Sequence, residues 1–363
     1  MTTRQNEIFG IQYLRGIAAG AVVADHATGM AAFPKYFGSE AFSGVLLTGA
    51  RGVDLFFLIS GFIIAVVSLT PRSLEARVSP YEFARRRLIR IVPLMWLAIG
   101  SYMALRLLGR GSFDLWPYLR ALTLWPAGDV NPSHLWTLRN EAFFYFLFAS
   151  TFLGVRGIRW AAALWVVAAV LYPTSGISDG PTLTYQQWMY AFAHPANVEF
   201  AAGLGLALIW LRSNRGQPFS LRLLWPVCVV WFAVTIHFVS SLLGDWPRVY
   251  IDLIWAAAFL PLLTLAVLAK TIPSRLGLLL GDASFSIYLF HPHFISAVLG
   301  VWSAVAPSTP VWIVVIATSL IAIGCGVIIH LTVERWILGR LKGVGMRVEN
   351  STGLARTIQT ESS

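Results

Sequence analysis

Long apolar runs, separated by short polar or basic stretches, follow one another along almost the whole chain. A bilayer core takes about 20 mostly apolar residues per helix. Ten such runs stand at roughly 10–32, 52–70, 88–109, 134–153, 160–173, 190–211, 223–243, 249–269, 283–305 and 311–334. They lack the two-residue alternation of barrel strands. The pattern therefore predicts an all-α integral membrane protein, a bundle of about ten transmembrane helices. Trp96, Trp136, Trp160, Trp188, Trp246 and Trp336 stand near run ends, as an interfacial belt places them. Segments 110–133 and 174–189 read as outer loops, and 336–342 as a short interfacial helix. Residues 1–342 read as one transmembrane domain and 343–363 as a polar, disordered cytoplasmic tail. No internal repeat of the kind that builds inverted-repeat transporters is visible.

Composition agrees. Of 363 residues, 57% are hydrophobic and 12% are charged, about half the charged share of soluble domains. Too little polar surface remains for a soluble enzyme, a disordered regulator or a disulfide-stapled module. The net charge of +10 need not mean nucleic acid, because cytoplasmic loops collect Lys and Arg. With the N-terminus inside, eighteen Lys and Arg fall in inner segments and five in outer ones. Both termini are expected in the cytoplasm. Cys228 and Cys325 lie in apolar runs and carry no redox signal.

Charged residues inside spans are costly, and they are functional candidates by default. Arg15 and His26 lie eleven residues apart, about 16 Å of rise and about 20° of rotation, so they share one face. Asp25 is turned about 100° from His26 and is not an obvious partner for it. Asp54 shares a face with Gly61, a residue that admits a close neighbour helix. Arg87 and Arg90 reach one side of the third run at its inner boundary. A boundary arginine cluster commonly sets topology only, but Arg90 stands one turn inside the apolar run. His134 and Glu141 share a face of the fourth run, and Ser284 and His291 one of the ninth. His293, His237 and His330 read as packing histidines. Inner arginines with deeper His and Glu describe a tunnel, cationic at its cytoplasmic mouth. That suits an anionic donor reaching into the bilayer, and it equally suits a proton-coupled transporter or flippase.

Five motifs in order resemble those of the acyltransferase 3 family of bacterial membrane O-acyltransferases, the exopolysaccharide and O-antigen acylating members above all. Leu14-Arg15-Gly16-Ile17-Ala18 through His26 is similar to the first-helix Arg-x10-His signature, and the run from Gly52 to Phe62 to the second-helix motif. Arg87-x-x-Arg90-Ile91-x-Pro93 resembles the Arg-x-x-Arg motif. Trp136-Thr137-Leu138-Arg139-Asn140-Glu141 resembles Trp-Ser-Leu-x-x-Glu, and Asp282 through His291-Pro292 the Ser-Tyr-x-x-Tyr-Leu-x-His stretch. Thr137, Phe285, Asp25 and Arg139 depart from the usual residues. The resemblance implies a ten-helix, multi-pass protein of the bacterial plasma (inner) membrane. It would move an acyl group, usually acetyl, from cytoplasmic acyl-CoA to a hydroxyl of a saccharide or lipid-linked saccharide. It further implies that Arg15, Arg87 and Arg90 bind acyl-CoA and that His26 and Glu141 are catalytic. Asp54, Ser284 and His291 would support them. Acyl-CoA is then a substrate, with no resident cofactor or metal and no nucleic-acid partner expected.

Overall fold

The structure, a computed structural model, describes residues 8–109, 114–153, 194, 196–213, 248–269 and 272–341. Nine α-helices lie among them: α1 (Phe9–Ala31), α2 (Gly52–Ser68), α3 (Pro80–Gly109), α4 (Trp116–Thr123), α5 (Trp136–Ser150), α6 (Ala196–Arg212), α7 (Arg248–Leu268), α8 (Arg275–Val305) and α9 (Val311–Ile329). A 3-10 segment, Ala41–Arg51, leads into α2. No strand occurs among the described residues, only one isolated bridge between Leu69 and Ala76. Four helices are long and apolar enough to cross a membrane by length and composition: Ala41–Ser68, Pro80–Leu108, Arg275–Val305 and Val311–Leu341. The expected spans 160–173 and 223–243 and the tail 343–363 lie outside the described residues, as do Cys228 and His237.

Several boundaries differ from the apolar pattern. α3 begins at Pro80, so the basic stretch Arg85–Arg86–Arg87 is already helical. Glu82 in its first turn accepts from Arg86 Nε at 2.6 Å, an i,i+4 pair that supports a helix start. α8 begins at Arg275, capped by the Ser274 hydroxyl, which accepts from the Gly277 N–H at 3.3 Å. The segment 110–133, expected to be an outer loop, is not all loop, since it holds the amphipathic α4. Its buried Tyr118 and Ala121 pack on Met95 and Ile99 of α3. The separate interfacial helix expected at 336–342 is also not found. α9 passes through a π turn, His330–Glu334, and continues to Leu341.

α1 is the central element. It packs against α2, α7, α8, α9 and the 3-10 segment. Its small residues repeat every four positions: Ala19, Val23, Ala27 and Ala31 are fully buried against Ile287, Ile295 and Leu299 of α8 and Val314, Val315 and Ala322 of α9. Lipid tails are as apolar as these side chains, so close packing rather than water exclusion holds such helices together. Glycines set the closest approaches. A Cβ at Gly281 would run into the Gln12 carbonyl, and one at Gly277 into the Tyr13 ring. α2 and α6 meet reciprocally: a Cβ at Gly61 would strike the Phe200 carbonyl, and one at Gly203 the Leu58 carbonyl. Outward-facing Leu88, Trp96, Leu105, Ile316 and Leu320 are exposed, an apolar surface that suits contact with lipid.

Candidate active site

A cavity of about 260 Å³ opens among five of these helices. α1 contributes Gln12 and Arg15, α2 Phe56 and Ser60, and α3 Arg87 and Arg90. Thr137, Glu141 and Tyr145 come from α5, and Ser284, Phe285 and Tyr288 from α8. Of the residues singled out by sequence, Arg15, Arg87, Arg90, Glu141 and Ser284 are thus gathered around one space. His26, His291 and Asp54 are not on its walls.

Glu141 is held at two points. Ser60 Oγ donates to its Oε1 at 2.6 Å, and the Tyr145 hydroxyl donates to the same oxygen. Tyr145 stands four residues after Glu141, one turn along the same face. Its ring also lies under the Arg87 guanidinium at 5.2 Å, with Phe83 beneath the same group at 5.5 Å. The two rings fix a cation at the cavity wall by cation–π attraction, which leaves its N–H groups available to an anion. Arg15 feels the charges of Arg90, Asp282, Glu334 and Glu141. Below the wall, Glu334 in the π turn accepts from Ser286 at 2.6 Å and lies 2.8 Å from His330 Nδ1.

One ring above the cavity lies a cluster of imidazoles. His26 and His291 meet edge to face with ring centroids 4.8 Å apart, and His134 stands 5.3 Å from His291. His134 belongs to the 3-10 turn before α5 and so joins this cluster rather than the Glu141 face expected from helical spacing. One expectation about His26 is corrected. Asp25, turned away on an ideal helix, swings back so that Oδ2 sits 3.3 Å from His26 Nδ1. Glu141, by contrast, is engaged at Oε1 by Ser60 and Tyr145. His26 Nδ1 also lies 3.0 Å from the Val22 carbonyl. Both neighbours of Nδ1 are acceptors, so Nδ1 carries the proton and Nε2 keeps the lone pair. His291 Nδ1 faces the Tyr288 carbonyl at 2.7 Å, and the same reasoning leaves its Nε2 as an acceptor.

The chain matches the family model described as an acyltransferase domain over residues 8–330. It belongs to the acyltransferase 3 family. It is 33% identical over 313 residues to the exopolysaccharide production protein ExoZ of Rhizobium meliloti (strain 1021), covering 80% of this chain and 90% of that protein. No solved structure matches it. With its apolar helices, membership makes this a multi-pass membrane acyltransferase. The family motifs converge on one region here: the Arg-x-x-Arg pair and the glutamate of the fourth motif line the cavity, and the His of the first motif meets that of the last above it. Asp54, from the second motif, accepts from Arg51 Nη1 at 3.0 Å, an ion pair at the start of α2. Among the histidines read as packing, His293 lies 3.1 Å from Ser101 Oγ and 3.2 Å from the Ala98 carbonyl. Arg139, an unusual charge for this acyltransferase motif, donates to the Gly128 carbonyl at 2.7 Å. Sequence reasoning passed over Ser60, Tyr145 and Tyr288 as site residues, although the i,i+4 spacing of Glu141 and Tyr145 was a usable signal.

Proposed function

We propose that this acyltransferase is an inner-membrane enzyme of ten transmembrane helices, both termini cytoplasmic, that transfers an acetyl group from cytoplasmic acyl-CoA to a saccharide hydroxyl. The observation that carries this reading is the gathering of Arg15, Arg87 and Arg90 around one cavity, one ring below three imidazoles. Guanidinium groups at the cytoplasmic mouth suit the phosphates of CoA through charge-assisted hydrogen bonds. A volume of about 260 Å³ is below the roughly 300–1,000 Å³ of pockets for drug-sized ligands. It suits a slim pantetheine arm, with the nucleotide left at the mouth. The rise of about 16 Å from Arg15 to His26 is comparable to the reach of that arm.

A hydroxyl is a weak nucleophile at neutral pH and needs a base. His26 Nε2 takes the proton as the sugar oxygen attacks the thioester carbonyl. The C–O bond forms, the C–S bond breaks, and the proton passes from the imidazolium to the departing sulfur. Asp25 stabilises the charged ring from the Nδ1 side, as the carboxylate of a triad does. Glu141, fixed by Ser60 and Tyr145, acts on the donor side of the cavity. The name of the ExoZ relative supports a polysaccharide as acceptor. The test is the ester content of surface polysaccharide in a strain lacking the gene, read by NMR. Esters are expected to disappear and to return with the wild-type gene but not with His26→Ala. An unchanged ester content in the deletion strain overturns the saccharide reading.

A further inference from the structure

The cavity and the imidazoles are separated by a thin ceiling, and its construction bears on which donors fit. α1 and α8 run parallel, since Gly281 lies against Gln12 and His291 against His26. Tyr288, one turn before His291, therefore sits just below the imidazole level. Its ring meets Phe56 edge to face at 6.0 Å, and both residues line the cavity. The Tyr288 hydroxyl donates to the His134 carbonyl at 2.8 Å and lies 2.7 Å from the Thr137 hydroxyl. Thr137 also donates to that carbonyl, at 3.0 Å. Two hydroxyls on one carbonyl pin the ring to the 3-10 turn. Directly above, His134 is 5% exposed and His291 fully buried, so packed side chains back the two rings.

We infer that the Phe56–Tyr288 ring pair is the gauge that limits the donor's acyl group to a few carbons. The inference rests on the acyl-CoA reading above and deepens it. With the CoA phosphates held by the arginines, the pantetheine arm occupies most of the cavity and the acyl end meets the underside of the rings. An acetyl group reaches the gap beside them toward His26. Each further methylene must displace an aromatic ring whose position is fixed by packing or by hydrogen bonds, and displacing well-packed side chains is costly.

The test is competition of CoA and of acetyl-, butanoyl-, hexanoyl- and octanoyl-CoA against labelled acetyl-CoA on the purified full-length protein in lipid nanodiscs. The wild type is expected to bind hexanoyl-CoA at least tenfold more weakly than acetyl-CoA, and Phe56→Ala is expected to narrow that ratio to less than threefold. Phe56→Leu, a milder truncation that protects against loss of folding, is expected to fall between. Ile63→Ala removes bulk from the same helix two turns nearer the cytoplasm and is expected to leave the ratio unchanged. Tyr288→Phe keeps the ring but not its hydrogen bonds, and is expected to widen tolerance less than Phe56→Ala does. An unaltered length profile in both Phe56 variants, with acetyl-CoA still bound, overturns the gauge and leaves the donor reading standing. Failure of the wild type to bind any CoA compound overturns the donor reading and the gauge with it.

Discussion

At His26 the two ring nitrogens face different company: Nδ1 meets a carbonyl and a carboxylate, and Nε2 meets neither. A general base contributes about 10²–10⁴-fold, so with His26 in the proposed role His26→Ala is expected to lower transfer by at least about a hundredfold while the protein still folds. Asp25→Asn turns an acceptor into an amide that can present a donor to Nδ1. It is expected to lower kcat by tenfold or more with the donor KM nearly unchanged, as steady-state kinetics would show; an unchanged kcat removes Asp25 from the mechanism. Glu141→Gln should lower turnover without altering donor affinity, and a fully active variant makes Glu141 structural. At Arg90, loss of a hydrogen bond to a charged group is worth about 1.5–3 kcal/mol. Arg90→Ala is then expected to weaken acetyl-CoA binding about tenfold to a hundredfold, measured by equilibrium binding. Unchanged affinity returns the arginine cluster to topology alone. Much of this residue set was legible in the sequence, because a charge in an apolar run stands out whatever the fold. Asp25 was misjudged because ideal helix geometry places Cβ atoms and says nothing of how a carboxylate rotates. Tyr288 and Tyr145 were passed over because an aromatic in an apolar run looks like packing until its hydroxyl partner is known.

Among the elements, α2 and α6 come closest, carbonyl against glycine on both sides. A methyl at either position must push the helices apart, and overpacking of this kind costs about 1–3 kcal/mol. Gly203→Ala and Gly61→Ala are expected to lower the melting temperature in detergent by several degrees, with activity falling in step because α2 carries Ser60 and Phe56. A variant as stable as the wild type shows that the contact is looser than the geometry indicates. Runs of apolar residues revealed these helices well, since their length is dictated by the bilayer. Ends were less legible. Hydropathy stops where charge begins, yet α3 already includes Arg85–Arg87 and α9 continues past Glu334 through Arg335 and Arg340 to Leu341, because side chains at a membrane boundary can be charged without breaking the backbone ladder. The reverse held at His134, where an apolar-run pattern concealed a 3-10 turn and so misplaced the side chain.

For the whole molecule, the proposed orientation opens the cavity lined by Arg15, Arg87 and Arg90 toward the cytoplasm, the side to which the excess of Lys and Arg is expected to fall. A reporter fused after Leu341 is expected to be active only as a cytoplasmic fusion; an external signal would put the donor site on the wrong side for CoA. In the proposed reading, the rings of Phe56 and Tyr288 stand between the donor cavity and the imidazoles, and the acyl group reaches His26 through the gap beside them. The most direct measurement is acetyl transfer by the purified full-length protein in nanodiscs, given radiolabelled acetyl-CoA and a saccharide extract from the deletion strain. The account predicts label in the saccharide and free CoA in equal amounts with the wild type. It predicts neither with His26→Ala, although that variant still binds acetyl-CoA. Full transfer by His26→Ala, or transfer by the wild type that is indifferent to acetyl-CoA, would contradict it.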